Sequence, residues 1–85
     1  MTAALARILT IEDEPMGREI LTAYMEDSGF EVIQAADGRA GMDLIRREQP
    51  DLVLCDLRMP GMDGLQVLAA VTREFPDLPI IVVSG

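Results

Sequence analysis

Three carboxylates stand directly at the ends of two apolar segments in this chain of 85 residues. Glu12 and Asp13 follow the segment at residues 7–11, and Asp56 ends the segment at residues 51–56. If these segments are neighbouring parallel strands, about 4.8 Å apart, the three side chains face one another across the carboxyl edge of a sheet. Carboxylates that close repel one another unless a cation lies between them. Because the ligands are all oxygen atoms, we expect Mg²⁺ as the cofactor.

Asp56 also has the position expected of a nucleophile, since a carboxylate can form an aspartyl phosphate with the help of a metal ion. Ser84 ends another apolar segment, residues 79–84. Its hydroxyl can either reach a phosphoryl oxygen on Asp56 or bond to nearby backbone, and its position in the sequence leaves both open. Cys55 precedes Asp56 and should point to the opposite face of the strand, so we predict a core residue and not a reactive thiol.

The remaining acids near these segments have a simpler interpretation. They fall at helix starts or in exposed positions, where carboxylates act as caps or as solvated charges; these acids are Glu14, Glu26, Asp27, Asp37 and Asp63. The same interpretation is open to Glu12, Asp13 and Asp56, but their shared position at the ends of two strands favours a functional role.

Four short apolar segments alternate with three helix-like segments, and these elements must position the acids. The predicted strands cover residues 7–11, 31–35, 51–56 and 79–84, which indicates a β-α-β-α-β-α-β order. That alternation predicts an α/β fold with a doubly wound parallel sheet. Glu31 and Gln34 make the second strand the most polar, so we place it at an edge, with strand order 2-1-3-4. The switch in strand order then falls between the first and third strands.

Each predicted helix has start and stop signals and an apolar face. Pro15, Asp37 and Asp63 suit helix starts, and Gly29, Pro50 and Pro76 suit helix ends. The apolar faces predicted by helical spacing are Met16, Ile20 and Tyr24 in the first helix; Ala40, Gly41, Leu44 and Ile45 in the second; and Leu65, Leu68, Val71 (or Thr72) and Phe75 in the third.

The composition excludes several classes of function. The chain has seven basic residues, all Arg, against fifteen acids, so its net charge is −8, and it has no His. These counts exclude His-based triads and His-ligated zinc, and the acidic balance argues against direct binding of nucleic acid. A single Cys excludes an internal disulfide and favours a reducing, cytoplasmic location. No apolar run approaches the ~18 residues of a membrane span, so we expect no membrane association.

Nucleotide binding is also disfavoured by the motifs. The chain contains no G-x-x-x-x-G-K-[ST] motif, and Gly61 and Gly64 do not belong to a G-x-G-x-x-G motif that follows a strand. The loop after the first strand is Glu-Asp-Glu-Pro, which would repel a phosphate group unless a cation lay between them.

Three separated motifs resemble the response-regulator receiver domain of two-component signalling. They are ILTIEDEP at residues 8–15, DLVLCDLRMPGMDG at residues 51–64 and PIIVVSG at residues 79–85, and they span essentially the whole chain. The resemblance implies a flavodoxin-like fold in which Asp56 accepts a phosphoryl group from a sensor histidine kinase or a phosphotransfer protein. It also implies that Asp13 and Asp56 bind Mg²⁺ directly, that Glu12 helps through water or hydrogen bonds, and that the main-chain carbonyl of Arg58 completes the metal site.

The resemblance assigns further roles around the phosphorylation site. Ser84 would bond to the phosphoryl group and so report phosphorylation to the outer face of the domain. Pro60 and Gly64 would shape the loop that follows Asp56. The family has an output domain or partner downstream, and its phosphoryl chemistry belongs to a signalling cycle, so we do not expect an enzyme in the usual sense.

One departure from the family concerns a lysine. The family places a Lys after its fifth strand, whereas this chain has no Lys and ends before such a strand, so we expect residues 1–85 to be a receiver domain incomplete at its C-terminus. An unpaired fourth strand predicts self-association through that edge. The alternatives are a receiver-like interaction scaffold that is never phosphorylated, or an inactive fragment. A third alternative, an aspartyl-phosphate hydrolase, is disfavoured. It would need a carboxylate as general acid–base two residues after the nucleophile Asp56, and this chain has Arg58 at that position.

Overall fold

The structure is a computed structural model that describes residues 6–57 and 63–83. In these residues strands and helices alternate: β1 (Arg7–Ile11), α1 (Pro15–Asp27), β2 (Glu31–Ala35), α2 (Gly38–Glu48), β3 (Leu52–Asp56), α3 (Gly64–Glu74) and β4 (Ile80–Val83). The strands pair in parallel in the order β2-β1-β3-β4. The prediction of an α/β fold with this strand order is confirmed.

Two aspartates fix the starts of α2 and α3. The side chain of Asp37 accepts a hydrogen bond from the backbone N–H of Ala40 at 2.8 Å. Asp63 and Gln66 exchange reciprocal bonds of 2.9 Å between the side chain of each and the backbone N–H of the other. These bonds satisfy donors that would otherwise lack partners in the first helical turn. Both caps were predicted, and Pro15 stands at the first turn of α1, as expected.

The main core lies between the sheet and the pair α2 and α3. Its members are almost fully buried apolar side chains from β1, β3 and the two helices, and they include Leu9, Ile11, Ile45, Val53, Cys55, Val67 and Val71. The predicted burial of Cys55 is confirmed, since its exposed fraction is 0%. This core anchors β1 and β3, the two strands that carry the acids.

The predicted face of α1, with Met16, Ile20 and Tyr24 on one side of the helix, is not buried. Met16, Ile20 and Tyr24 are 68%, 64% and 68% exposed, and α1 contains no buried residue. The helix lies against β2 and β1 on the face of the sheet opposite α2 and α3. The stripe of Met16, Ile20 and Tyr24 therefore points away from the strands that α1 covers, whereas Leu21 and Met25 are half-buried.

The faces of α2 and α3 were predicted in part. Gly41, Ile45 and Val71 are buried as expected, but Met42 and Val67 are buried without having been assigned to a face. Leu65 was assigned to the apolar face of α3 and is 61% exposed. The buried positions of α3 include 67, 70 and 71, a spacing of three and four residues, and Leu65 lies outside that stripe. Within residues 6–57 and 63–83, no helix has both the length and the apolar character needed to cross a membrane.

Candidate functional site

The structure brings Glu12, Asp13 and Asp56 together at the carboxyl edge of the sheet. Ile11 of β1 lies opposite Cys55 of β3, so the residues that follow in each strand are neighbours. Each of the three acids offers one carboxylate oxygen, and these atoms all lie within 4.8 Å of one another. The cluster sits between β1 and β3, where the strand order changes direction.

Three hydrogen bonds hold Glu12 in place. Its backbone N–H donates to the carbonyl of Ala35 at 3.1 Å, which continues the pairing of β1 with β2. Its Oε1 accepts the backbone N–H of Glu14 at 3.0 Å. Its carbonyl accepts Nη1 of Arg18 at 2.8 Å, so a guanidinium on α1 clamps the turn between β1 and α1. The acidic loop is therefore positioned by backbone and side-chain bonds together.

The environment of Glu12 raises the pKa of its carboxyl above 4.5. Burial is the largest cause, because it penalises the charged form. The N–H of Glu14 lowers the pKa in part, whereas the charge of Asp56, a side-chain hydrogen bond with Asp56 and the charge of Asp13 raise it. The cluster thus carries unfavourable negative charge that a bound cation would relieve.

The start of α3 is packed tightly against the backbone of Asp56. The N–H of Gly64 donates to the carbonyl of Leu57 at 3.0 Å. A Cβ atom added at Gly64 would lie 2.6 Å from the carbonyl oxygen of Asp56 and 2.6 Å from Cα of Leu57. A side chain at residue 64 would therefore displace the backbone that carries the Asp56 carboxyl.

The thiol of Cys55 is unreactive, although Cys55 lies next to the acids. Its pKa is raised to about 12, first by burial and then by the negative charges of Asp56, Glu12 and Asp63. A thiol with that pKa is almost entirely protonated near neutral pH, and the thiolate is the reactive form. The interpretation of Cys55 as a packing residue agrees with its environment.

The donor set fits a hard divalent cation. All three groups are carboxylates, and the charges of Asp56 and Asp13 add to the larger effect of burial in raising the pKa of Glu12. Mg²⁺ accepts such ligands together with waters and phosphate oxygens. Three other predicted site residues, Arg58, Pro60 and Ser84, lie outside the described residues.

Sequence reasoning missed Arg18 as a contributor to the site. A cation placed one turn into the helix that follows an acidic loop is the signal that could have identified it, since such a side chain can fold back onto the loop. Gly17 was also missed. A Cβ atom added at Gly17 would point toward Glu12 and would lie 3.6 Å from its Cδ.

Comparisons with known proteins agree on one family. The sequence profile of the response regulator receiver domain matches residues 8–85. Protein PilH of Pseudomonas aeruginosa is 40% identical over 82 residues, which are 94% of this chain and 68% of PilH. The transcriptional regulatory protein GlrR of Escherichia coli is 34% identical over 80 residues, 94% of this chain and 18% of GlrR. The chain thus spans about two thirds of one relative and less than a fifth of the other.

A solved structure is similar in fold as well as in sequence. The response regulator protein TrrA of Thermotoga maritima, crystallised in complex with Mg²⁺-BeF, matches with a TM-score of 0.91 and 32% identity. The match covers 94% of this chain and 70% of TrrA.

Proposed function

Because the chain belongs to the response regulator receiver domain family, we propose that it accepts a phosphoryl group on Asp56 in two-component signalling, with Mg²⁺ bound at the acid cluster. The observation that carries this proposal is the convergence of three carboxylate oxygens within 4.8 Å at the carboxyl edge of β1 and β3. The raised pKa of Glu12 supports it, since burial, and then the charges of Asp56 and Asp13, disfavour the ionised carboxylate, and a bound cation would relieve that cost.

Each acid has a separate role in the proposal. Asp13 and Asp56 would bind the ion directly, Glu12 would assist through water or a hydrogen bond, and the carbonyl of Arg58 would complete the ligand set. When bound, Mg²⁺ offsets the negative charge of the incoming phosphoryl group. Arg18 holds the turn that carries Glu12 and Asp13 through its bond to the Glu12 carbonyl.

The transfer itself is an in-line displacement at phosphorus. One oxygen of the Asp56 carboxylate forms the new bond while the phosphorus–nitrogen bond of the donor phosphohistidine breaks, and the released imidazole takes up a proton. Because β3 and the start of α3 fix the backbone of Asp56, the carboxyl has a defined position before the donor arrives. Gly64, with Pro60, would preserve that position, and Ser84 would bond to the transferred group.

The proposal also names partners and a location. The donor would be a sensor histidine kinase or a phosphotransfer protein, and an output domain of the parent protein would read the phosphorylated state. Direct contact with nucleic acid is not part of the proposal, because the chain carries a net charge of −8. We place the protein in the cytoplasm and treat it as a signalling module and not as an enzyme.

The test is intact mass spectrometry after incubation with acetyl phosphate, with and without Mg²⁺. We expect a phosphoryl adduct that requires Mg²⁺ and is lost in Asp56→Asn. Asp77→Asn is the matched control, because Asp77 is an exposed aspartate in the turn before β4 and should leave the adduct unchanged. An adduct that persists in Asp56→Asn would contradict the assignment of the acceptor.

A phosphorylation-incompetent interaction scaffold is the second candidate, and the absence of Lys from the 85 residues favours it. An adduct on a longer chain that continues past Gly85, but not on residues 1–85, would make this chain an inactive part of a working receiver. No adduct on either chain would favour the scaffold.

A further inference from the structure

A cavity of about 460 Å³ lies at the edge of the sheet opposite the acid cluster. It forms where α2 and α3 end and where β3 and β4 begin. Its wall is largely apolar, and the residues that make it so are Ile45, Pro50, Phe75, Pro76, Leu78 and Pro79. All of its lining residues are among those that the structure describes. A cavity of this volume lies within the usual range for small-molecule sites, roughly 300–1,000 Å³.

The frame of the cavity is fixed in several ways. Gln49 caps α2 in a left-handed conformation, with φ of 50°, and its N–H bonds to the carbonyl of Ile45. Beyond α3, the N–H of Leu78 donates to the carbonyl of Phe75 at 3.0 Å. The carbonyl of Pro79 accepts the N–H of Val53 at 3.0 Å, which ties this turn to β3. A site built on such fixed backbone needs little ordering when a ligand binds.

A bifurcated ion pair joins the two helices beside the cavity. Nη2 of Arg46 on α2 lies 3.2 Å and 3.0 Å from the two carboxylate oxygens of Glu74 on α3. Asp43 also contacts Arg46, at 3.4 Å. Arg46 is the one guanidinium in the cavity lining, and its charge is neutralised by Glu74 and Asp43. It is therefore not available to bind an anion in the cavity.

The uncompensated charge of the cavity is negative. Asp51 and Asp77 both line it, and no ion pair within residues 6–57 and 63–83 neutralises either one. Asp51 accepts the backbone N–H of Arg7 through Oδ2 at 2.8 Å, and this neutral donor leaves the charge of the carboxylate uncompensated. The carboxyl ends of α2 and α3 lie at the same place, but Arg46 and Arg47 in the last turn of α2 and Arg73 in the last turn of α3 offset the negative ends of their dipoles, so the negative charge of the cavity depends on the two aspartates.

We propose that this cavity is a binding site for a small organic cation, in which an ammonium group meets Asp51 and Asp77 while an apolar body occupies the wall. Charge complementarity and the apolar lining argue for that class together: a metal ion would leave the apolar wall unused, and an anion would face two carboxylates. Phe75 adds an aromatic ring to the lining, and aromatic rings attract organic cations. The net charge of −8 favours the approach of any cation.

The test is an NMR titration of the isotopically labelled chain with 2-phenylethylamine, which is protonated at neutral pH. The neutral probe 2-phenylethanol has the same ring and nearly the same size, so it isolates the contribution of charge. We expect saturable shifts of the backbone amides of Asp51, Asp77 and Leu78 with the amine, weaker binding of the alcohol, and weakening of amine binding by added salt.

A pair of variants separates the site from general charge attraction. Asp77→Asn should weaken amine binding about two- to fivefold, the range expected for one solvent-exposed ionic contact. Asp27→Asn removes one exposed carboxylate at the end of α1 and should leave the affinity unchanged. Both aspartates are exposed, so both variants should fold, as the dispersion of their spectra will show.

Three results would overturn the proposal. Equal binding of amine and alcohol would mean an apolar cavity without cation selectivity. Amine shifts at Glu12 and Asp13 instead of at the cavity would mean attraction to the acid cluster. The third result is the absence of any chemical-shift change at millimolar concentrations of 2-phenylethylamine.

Discussion

At the scale of single residues, the charge of Glu12 opposes folding when no cation is bound. Its pKa is higher in the folded chain than the ordinary 4.5, so the folded state binds this proton more tightly than the unfolded state does. The penalty is absent at low pH, where both states are protonated. It develops as pH rises past 4.5 and is complete above the folded pKa. We therefore expect Glu12→Gln to raise the free energy of unfolding at pH 7 in the presence of EDTA.

Urea unfolding of wild type and Glu12→Gln at pH 7 and at pH 4 measures this effect. The gain in the variant should be present at pH 7 and should shrink below pH 4.5, because protonation already neutralises Glu12 there. Glu19→Gln is the control, since Glu19 is exposed on α1 and should show little change at either pH. Added Mg²⁺ should stabilise the wild type more than Glu12→Gln. A loss of stability in Glu12→Gln at pH 7 would contradict the electrostatic account of the cluster.

At the scale of elements, α1 and α2 contribute to stability in different ways. Ile45 on α2 is 2% exposed and packs in the main core, whereas Ile20 on α1 is 64% exposed. Ile45→Ala should lower the free energy of unfolding by about 2–5 kcal/mol, through lost burial and the cavity left behind. Ile20→Ala should change it by less than about 0.5 kcal/mol. Urea unfolding of the two variants provides the comparison, and similar costs would mean that α1 is packed more tightly than the structure shows.

Two helical glycines offer a second comparison between the same elements. A Cβ added at Gly41 would contact Cδ1 of Ile11 and lie 2.9 Å from its Cγ1, because α2 approaches β1 closely there. A Cβ at Gly17 would meet only Cδ of Glu12, at 3.6 Å, and other atoms of that side chain. We expect Gly41→Ala to destabilise by about 1–3 kcal/mol through overpacking. Gly17→Ala should stabilise by up to about 1 kcal/mol through helix propensity, and thermal unfolding that shifts both variants in the same direction would contradict the close approach of α2.

The same elements show how far sequence could predict the structure. β1 and β3 were predicted because each is a short, almost continuous apolar run, and the meeting of Glu12, Asp13 and Asp56 followed from the predicted strand order. The exposure of Ile20 and Leu65 was not predicted, because helical spacing identifies an apolar stripe but not the side of the helix that meets the sheet. Arg18 was missed because the only local signal, a cation one turn into the helix after an acidic loop, does not specify that its side chain folds back onto the Glu12 carbonyl.

At the scale of the whole molecule, the carboxyl ends and the amino ends of the strands differ in chemistry. The carboxyl edge holds the acid cluster between β1 and β3, and the opposite edge holds the cavity below α2 and α3. The core between the sheet and these two helices separates them. A ligand bound at one of these sites can therefore affect the other only through the packed sheet and helices between them. The two proposed sites can be tested independently.

The last prediction concerns β4, which pairs only with β3 among the described residues. Ile80 packs against the core, so Ile81 and Val83 point to the opposite face of the sheet, where they are 50% and 41% exposed. An apolar strand with an unpaired edge favours pairing with another chain. We expect the 85-residue chain to associate reversibly as its concentration rises, and Ile81→Lys to reduce association by placing a charge on that strand.

Size-exclusion chromatography with light scattering over a range of concentrations tests this expectation. Ile20→Lys is the matched control, because it places the same charge on an exposed isoleucine of α1. If Ile20→Lys abolishes association and Ile81→Lys does not, the interface is the helix face. A monomer at every concentration would mean that the edge of β4 is protected in solution, and β4 would then not be a site of self-association.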